Sequence, residues 1–257
     1  MILEFYKYQG TGNDFIMIDD REKIFDVKDH NLIAALCERR LGIGADGLIL
    51  LRNHDELDFE MLYFNSDGMQ SSMCGNGGRC IVSFARMLEV VKDETVFMAI
   101  DGAHKAKIAK EGVYLKMQDV TKIKNFGDGI VLDTGSPHYI EMVDSLSSLD
   151  VSKEGRKIRN LSHFRKEGIN VNFVSDKNQI EVRTYERGVE AETLSCGTGV
   201  VATAIALNYT NLIEENCVEL NTKGGVLGVS FEEFNGTYRN IWLSGEVSMV
   251  YAGDFEC

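Results

Sequence analysis

Apolar and polar residues alternate along many short stretches of this chain, whereas the three- and four-residue spacing of an amphipathic helix occurs in few places. Alternation with period two predicts β-strands. The predicted strands cover residues 5–8, 15–19, 48–51, 59–65, 96–100, 105–109, 113–117, 129–134, 138–142, 170–176, 180–185, 217–222, 226–231, 238–244 and 246–251. Helical patterns predict helices over residues 29–41, 78–88, 161–167 and 200–207, with Asp29 as the N-cap of the first. The chain is therefore expected to be mostly sheet, with few helices.

A second regularity is a repeat. The segments Cys-Gly-Asn-Gly (residues 74–77) and Cys-Gly-Thr-Gly (residues 196–199) lie about half a chain apart. Each follows an extended apolar stretch and a polar loop, and each precedes a helix-like run. This period far exceeds the repeat length of solenoids, so it indicates duplication. It predicts an α+β protein with two pseudo-symmetric domains and an active site in the cleft between them.

The length of 257 residues and the hydrophobic fraction of 44% allow a sizeable core and fit either one large domain or two small ones. We expect an N-terminal domain over residues 1–118 that carries Cys74, completed by the C-terminal strand at about residues 249–257. The C-terminal domain is expected over residues 119–248 and carries Cys196.

A thiol just ahead of a helix N-terminus lies beside free backbone N–H groups and a partial positive charge, which bind anions and favour thiolate. A single cysteine there is usually a small buried apolar residue, but two equivalent copies indicate function. Cys74 and Cys196 are thus candidates for an acid–base pair on opposite faces of one carbon, since each thiol becomes the other's starting form after turnover. The remaining cysteines are expected to be structural, namely Cys37, Cys80, Cys217 and Cys257.

Composition excludes several classes of function. The net charge of −13 argues against nucleic acid and against an anionic membrane surface as partners. No apolar run approaches the roughly 20 residues of a membrane span, and no secretory signal is visible, so we expect a cytoplasmic protein. Six cysteines without a C-x-x-C pair suit neither a disulfide scaffold nor structural zinc, and no metal is expected.

One nucleotide-binding motif occurs by chance. Residues 42–47 match G-x-G-x-x-G, but a predicted helix precedes them and a predicted strand follows, which is the reverse of a dinucleotide-binding unit. We interpret this segment as a helix-to-strand turn. No lysine lies in a recognisable pyridoxal context, so no cofactor is expected.

Several motifs occur in one order along essentially the whole chain. They are GTGNDF (residues 10–15), NSDG (65–68), CGNGGR (74–79), GSPH (135–138), RTYERG (183–188), ET (192–193) and CGTG (196–199). Together they resemble the signatures of the diaminopimelate epimerase family. The resemblance implies cofactor-independent interconversion of LL- and meso-2,6-diaminopimelate by a two-cysteine mechanism, in lysine biosynthesis. It also implies a homodimer, with a barrel-like, mostly antiparallel sheet around a central helix in each domain.

The resemblance also implies a set of site residues. Cys74 and Cys196 would be the two bases, and the reacting carboxylate would be bound by Gly75, Asn76, Gly197 and Thr198. The amino group and distal carboxylate of the substrate would be held by Asn13, Asn65, Asn170, Glu186 and Arg187. His138 and Glu186 would tune the thiol pKa values.

Four features depart from the family pattern. Ser136 and Gly47 stand where asparagine and glutamine are common, and Met69 stands where serine is common. Residues 188–193 are one residue longer than usual. These departures bear on substrate geometry and leave the type of reaction unchanged.

Two other interpretations remain open at this point. A proline or hydroxyproline racemase has the same fold and thiol chemistry, but usually has histidine at the position of Asn76 and does not need a clamp such as Arg187. The related phenazine-biosynthesis isomerases lack the paired cysteines. From another class, a non-enzymatic binding or redox protein could use Cys74 and Cys196 as a switchable disulfide.

Overall fold

The computed structural model describes residues 2–71 and 73–256. The chain divides into two compact units, one formed by residues up to Leu115 together with those from Gly245 onward, the other by Lys116–Ser244. The strands of the first unit are β1 (Ile2–Gly10), β2 (Asn13–Asp19), β3 (Gly47–Arg52), β4 (Phe59–Asn65), β5 (Glu94–Ala99), β6 (Gly102–Ala109), β7 (Gly112–Lys116) and β17 (Val247–Glu256). Its helices are α1 (His30–Cys37) and α2 (Gly75–Met87).

The first unit is a sheet folded around α2. Strand β1 pairs antiparallel with both β17 and β2, and β2 runs parallel to β3. Strand β4 pairs antiparallel with β3 and parallel with β5, and β5 pairs antiparallel with β6. Helix α2 packs against β1, β2, β3, β6 and β17. Its first turns are buried, and a Cβ at Gly77 would lie 3.0 Å from Ile49, so glycine lets the helix approach β3 closely. The opposite face of β2 and β3 packs on α1 through Ile33 and Leu36.

The second unit repeats this plan around another helix. Its strands are β8 (Ile123–Phe126), β9 (Gly129–Asp133), β10 (Pro137–Met142), β11 (Asn170–Ser175), β12 (Glu181–Glu186), β13 (Ala191–Thr193), β14 (Cys217–Thr222), β15 (Gly225–Phe234) and β16 (Thr237–Gly245). Its helices are α3 (Val151–Arg159) and α4 (Gly197–Tyr209). Strands β8 to β12 pair in sequence order, with β10 and β11 parallel, and β12 also pairs with β13 and β14.

Helix α4 is the counterpart of α2. Both helices are 13 residues long, and α4 packs against β9, β10, β11, β12, β14 and β15. Nearly every residue from Gly197 to Leu207 is buried. A helix that is apolar all round belongs in the interior of a domain, which is where α4 lies. The predicted α+β class with two pseudo-symmetric halves is confirmed.

Most predicted elements are present, and the differences have local causes. All fifteen predicted strands overlap observed ones, and residues 42–47 connect α1 to β3 as expected. The helix predicted to reach residue 41 ends at Cys37, and Leu41 is 88% exposed. The helix predicted over residues 161–167 is wrong, because that segment forms turns.

The helix in this region is α3, which the apolar pattern did not indicate because residues 151–159 are mostly charged. The Asp150 carboxylate caps it by accepting a hydrogen bond from the backbone N–H of Lys153 at 3.0 Å. A Cβ at Gly155 would lie 2.4 Å from Tyr185, so this glycine allows α3 to pack closely on β12. Strands β8 and β13 are short and also escaped prediction.

Within residues 2–71 and 73–256, no helix is long and apolar enough to cross a membrane.

Candidate active site

Cys74 and Cys196 occupy the same position in their units, the N-cap of the buried helix. Cys74 has φ −100° and ψ 128°, and Cys196 has φ −125° and ψ 107°, so both lie in extended backbone just before the first helical turn. Neither sulfur caps its helix. Cys74 is half-buried, and Cys196 is 8% exposed. Each sulfur therefore lies beside the positive end of a helix dipole.

A chain of hydrogen bonds starts beside Cys74 and orders two of the predicted substrate ligands. The Arg79 guanidinium donates to Oδ1 of Asn76 at 2.9 Å. Nδ2 of Asn76 then donates to Oδ1 of Asn13 at 2.6 Å, and Nδ2 of Asn13 donates to Asp46 at 3.0 Å. A guanidinium only donates and a carboxylate only accepts, so the two ends fix the orientation of both amides. Asn76 and Asn13 are therefore both held with Oδ1 towards the Arg79 end of this chain and Nδ2 towards the Asp46 end.

Arg79 is a buried cation, and it is 0% exposed. It also donates to Oγ1 of Thr11 at 2.6 Å and to the Gly75 carbonyl at 3.2 Å, while its Nε has no hydrogen-bond partner in the described part of the chain. Among residues 2–71 and 73–256, no carboxylate forms an ion pair with it. Burial lowers the pKa of Arg79, and negative charge on Cys80 or Cys74 opposes that shift. Because arginine stays protonated in proteins, the N-terminal part of α2 carries a full positive charge in addition to the helix dipole.

Asn65, the other predicted ligand in this unit, is the last residue of β4 and pairs with Gly47 on β3. Gly47 in turn pairs with the N-terminal part of β2. A Cβ at Gly47 would lie 2.6 Å from the Tyr63 ring. The Tyr63 ring thus fills the space that a longer side chain would need at position 47.

Of the other cysteines, Cys37 and Cys80 fit the expected structural role, whereas Cys217 does not. Cys37 and Cys80 are buried, and burial raises the pKa of Cys37 to about 12 and also raises the pKa of Cys80. Cys217 is exposed on β14. Cys257 lies outside the described residues.

Thr198 and His138 stand next to Cys196 in the second unit. Oγ1 of Thr198 is 3.5 Å from the Cys196 sulfur, and Nε2 of His138 is 3.0 Å from the same Oγ1. The hydroxyl of Thr134 donates to the Thr198 carbonyl at 2.8 Å, which ties the start of α4 to the loop before β10. His138 is 0% exposed and therefore part of the core of this unit.

Glu186 also borders Cys196. Burial raises the pKa of this carboxyl, and hydrogen bonds from Thr193 and Cys196 work in the opposite direction. The hydroxyl of Thr193 donates to Oε1 of Glu186 at 2.5 Å. The thiol therefore lies between a carboxylate that accepts and a threonine hydroxyl.

Arg187 and Asn170 form a second polar group in this unit, centred on Ser136. Nη2 of Arg187 and Nδ2 of Asn170 both donate to Oγ of Ser136 at 3.1 Å. Oδ1 of Asn170 accepts from the backbone N–H of Arg187 at 2.9 Å, and Nη1 of Arg187 donates to the Glu167 carbonyl. The serine that departs from the family pattern thus holds the predicted carboxylate clamp directly.

The structure brings the predicted residues together in two groups. One contains Cys74, Gly75, Asn76 and Asn13. The other contains Cys196, Gly197, Thr198, His138 and Glu186, with Asn170 at the start of β11 and Arg187 just after β12. Sequence reasoning assigned no role to Arg79 or to Asn172. A signal existed for Asn172, since it lies two residues beyond Asn170 and thus on the same face of a strand.

The titration of His138 yields a prediction about stability. Burial, aided by the charge of Arg187, lowers the pKa of His138 from 6.5 to about 3. The unfolded chain therefore binds a proton below pH 6.5 that the folded chain does not, so stability is complete above pH 6.5 and falls as the pH drops towards 3. Between pH 8 and pH 5 this group should lower the free energy of unfolding by about 2 kcal/mol.

The measurement is urea unfolding of the wild type and of His138→Gln at both pH values. The variant should lose the corresponding part of the pH dependence. Asp14, whose pKa is lowered to about 2, acts at lower pH. Glu186, whose carboxyl pKa is raised by burial, is present in both proteins, so the comparison of wild type and variant isolates His138. An unchanged difference between pH 8 and pH 5 in the variant would contradict the assignment.

The α+β fold with a thiol at the start of a buried helix in each unit fits an isomerase of the amino-acid epimerase class. The family model for diaminopimelate epimerase matches residues 5–123 and 130–250. The diaminopimelate epimerase of Flavobacterium psychrophilum is 50% identical over 252 residues, which is 97% of this chain and 98% of that protein. The enzyme of the same name from Aquifex aeolicus is 38% identical, covering 98% and 97%. The chain therefore belongs to the diaminopimelate epimerase family.

Solved structures of other proteins share the fold. A phenazine biosynthesis protein of the PhzF family from Bacillus anthracis has a TM-score of 0.78 at 11% identity, with full coverage of both chains. A probable proline racemase from Agrobacterium radiobacter has a TM-score of 0.67 at 14% identity, covering 99% of this chain and 93% of that one. At this level of identity the likeness establishes the architecture, whereas the sequence relatives establish the family.

Proposed function

We propose that this protein interconverts LL- and meso-2,6-diaminopimelate without a cofactor, with Cys74 and Cys196 acting as the two bases on opposite faces of the α-carbon. The observation that carries the proposal is the equivalent placement of these cysteines, each at the N-cap of a buried helix, in a chain of this family. The product serves lysine biosynthesis.

The proposed chemical step is a proton transfer across one carbon. One cysteine, as thiolate, takes the α-proton, so that the C–H bond breaks and an S–H bond forms. The electron pair left on carbon spreads into the adjoining carboxylate. The other cysteine, as thiol, gives its proton to the opposite face and becomes the thiolate that starts the reverse reaction.

The helix N-termini support the binding of the reacting carboxylate. We assign this role to the backbone N–H groups of Gly75, Asn76, Gly197 and Thr198. Donors held in place before the reaction stabilise the charge that develops in the transition state, and such stabilisation is often the largest part of catalysis.

The remaining polar groups fit the rest of a long zwitterion. We assign Arg187 to the distal carboxylate, since a guanidinium can bind a carboxylate with two hydrogen bonds, and Glu186 to an ammonium group. Oδ1 of Asn170 supports Arg187 by accepting from the backbone N–H of Arg187. Asn13 and Asn65 complete the set in the first unit, and the orientation of the Asn13 amide suits an acceptor such as a carboxylate oxygen.

The test is exchange of the α-proton in deuterated water under reducing conditions, followed by mass spectrometry. LL-diaminopimelate should incorporate deuterium and appear in the meso form. Proline and trans-4-hydroxyproline should not exchange, because neither has a distal carboxylate for Arg187. Exchange of proline alone would favour a racemase, and no exchange of any substrate would contradict the proposed enzyme.

The assembly and location form a separate part of the proposal. We infer a cytoplasmic homodimer from the family resemblance. Sedimentation equilibrium of the pure protein should give twice the chain mass of 28.7 kDa. A single species at the chain mass at micromolar concentration would contradict the dimer.

A further inference from the structure

Asn172 is buried in β11, and both ends of its side-chain amide form hydrogen bonds. It is 0% exposed, its Nδ2 donates to the Tyr139 carbonyl at 3.2 Å, and its Oδ1 accepts from the Thr184 hydroxyl at 2.8 Å. A backbone carbonyl can only accept, so the Tyr139 contact fixes which end of the amide carries the hydrogens. Nδ2 of Asn172 must therefore be the atom that faces Nδ1 of His138, at 3.1 Å.

This contact decides the tautomer of His138. An amide nitrogen only donates, so Nδ1 of His138 must accept and cannot carry a proton. Burial keeps the ring neutral, with the pKa lowered to about 3. The single ring proton therefore resides on Nε2, which donates to Oγ1 of Thr198 at 3.0 Å.

The hydroxyl of Thr198 connects the imidazole of His138 to the thiol of Cys196. Because Oγ1 of Thr198 accepts from His138, its own hydrogen is left to point elsewhere, and the Cys196 sulfur lies 3.5 Å away. We propose that Asn172 is a positioning residue that holds His138 as the Nε2–H tautomer, so that the Thr198 hydroxyl donates to the sulfur of Cys196. The proposal rests on the proposed role of Cys196 as an acid–base thiol.

A hydrogen bond to the sulfur stabilises the thiolate more than the thiol. Glu186 on β12 also lies at this sulfur, where it accepts from the thiol and favours the protonated form. Arg187, which directly follows β12, acts on His138 and further disfavours a charged imidazole. Cys196 is thus held between a donor and an acceptor, which suits a group that must alternate between two protonation states.

Gly199, the last residue of the Cys-Gly-Thr-Gly segment, fits this arrangement. A Cβ at position 199 would lie 2.4 Å from Oδ1 of Asn172, which no real contact allows without a shift. Glycine at this position therefore gives Asn172 the room to reach His138.

The first test is the tautomer itself, read from the ¹⁵N chemical shifts of the imidazole nitrogens between pH 5 and pH 8. The His138 signals are assigned by their loss in His138→Gln. In the wild type, Nδ1 should be unprotonated and Nε2 protonated throughout. In Asn172→Asp, which keeps the shape but replaces the donor by an acceptor, Nδ1 should become protonated. A wild-type ring with its proton on Nδ1 would overturn the proposal.

The second test is the pH profile of Cys196 alkylation by iodoacetamide, followed by peptide mass spectrometry in a Cys74→Ala background. Thr198→Val should shift the midpoint up by about one pH unit, which is about a tenfold slower reaction at pH 7. Asn172→Leu should shift it in the same direction. The double variant should match Thr198→Val alone, because both changes interrupt one chain of hydrogen bonds.

Thr203→Val is the matched control. It removes another buried hydroxyl of α4, one that donates to the Gly199 carbonyl at 2.8 Å, and it should leave the alkylation profile unchanged. An unshifted profile in Thr198→Val would overturn the proposal, even if Asn172→Leu fails to fold. Both tests are made without substrate, so their failure is separate from a failure of the proposed epimerase activity.

Discussion

Replacing either Cys74 or Cys196 by alanine should lower the rate of diaminopimelate epimerisation by about 10⁴-fold, near the upper end of what a single acid–base group contributes. Inversion needs a base on one face and an acid on the other, so the loss of either thiol should stop it. The rate is measured with each stereoisomer under reducing conditions. Near-wild-type epimerisation by either single variant would contradict the two-base mechanism.

The same variants should also reveal which face each thiol serves. A variant that keeps one thiol should still exchange the α-proton of the stereoisomer whose C–H bond faces that thiol, although it cannot invert the carbon. Exchange in deuterated water, followed separately for the LL and meso forms, should therefore assign one isomer to each cysteine. Cys217→Ala, which removes an exposed thiol on β14, is the control and should keep full activity. If neither single variant exchanges either isomer, the simple division of faces is wrong.

The positions of the two thiols could be predicted from the sequence because local signals determine them. An extended run, a polar loop and a glycine-rich helix start occur together in both halves, and each of these depends on neighbouring residues alone. Strands were likewise predictable, since alternation marks the buried face of each one. The error over residues 161–167 shows the limit of this reasoning. Helix α3 is stabilised by the Asp150 cap and by the packing of Gly155 on Tyr185, a contact made by a distant strand.

The hydrogen-bonded chains around the thiols could not be predicted from local sequence patterns either, because they also depend on residues distant in the sequence. The sequence places Asn170 and Asn172 on one face of β11, but it cannot say which way an amide is turned. That orientation depends on Tyr139 and Thr184, which come from the two neighbouring strands. Arg79 is a stronger example, since an arginine in a helix is usually solvated, and here the fold buries it with no ion-paired carboxylate among the described residues.

The buried charge of Arg79 should matter more for catalysis than for stability. Arg79→Met should lower kcat by about 100-fold and slow alkylation of Cys74 at pH 7 by about tenfold, since the cation stabilises negative charge at the start of α2. Arg79→Lys keeps the charge and should retain most of the Cys74 reactivity. The free energy of unfolding should change far less than the activation free energy of the reaction. The methionine removes the cost of a desolvated charge together with the three hydrogen bonds that offset this cost.

Arg86→Met is the matched control for this prediction. It removes an exposed cation from the last turn of the same helix, where the charge is hydrated and distant from Cys74, and it should leave both rates unchanged. Alkylation is followed in a Cys196→Ala background, with urea unfolding measured on the same samples. A folded Arg79→Met variant with the wild-type pH profile of Cys74 would show that the buried cation only orders Asn76 and Asn13. A profile shifted in Arg79→Met but retained in Arg79→Lys would show that its charge itself prepares the thiol.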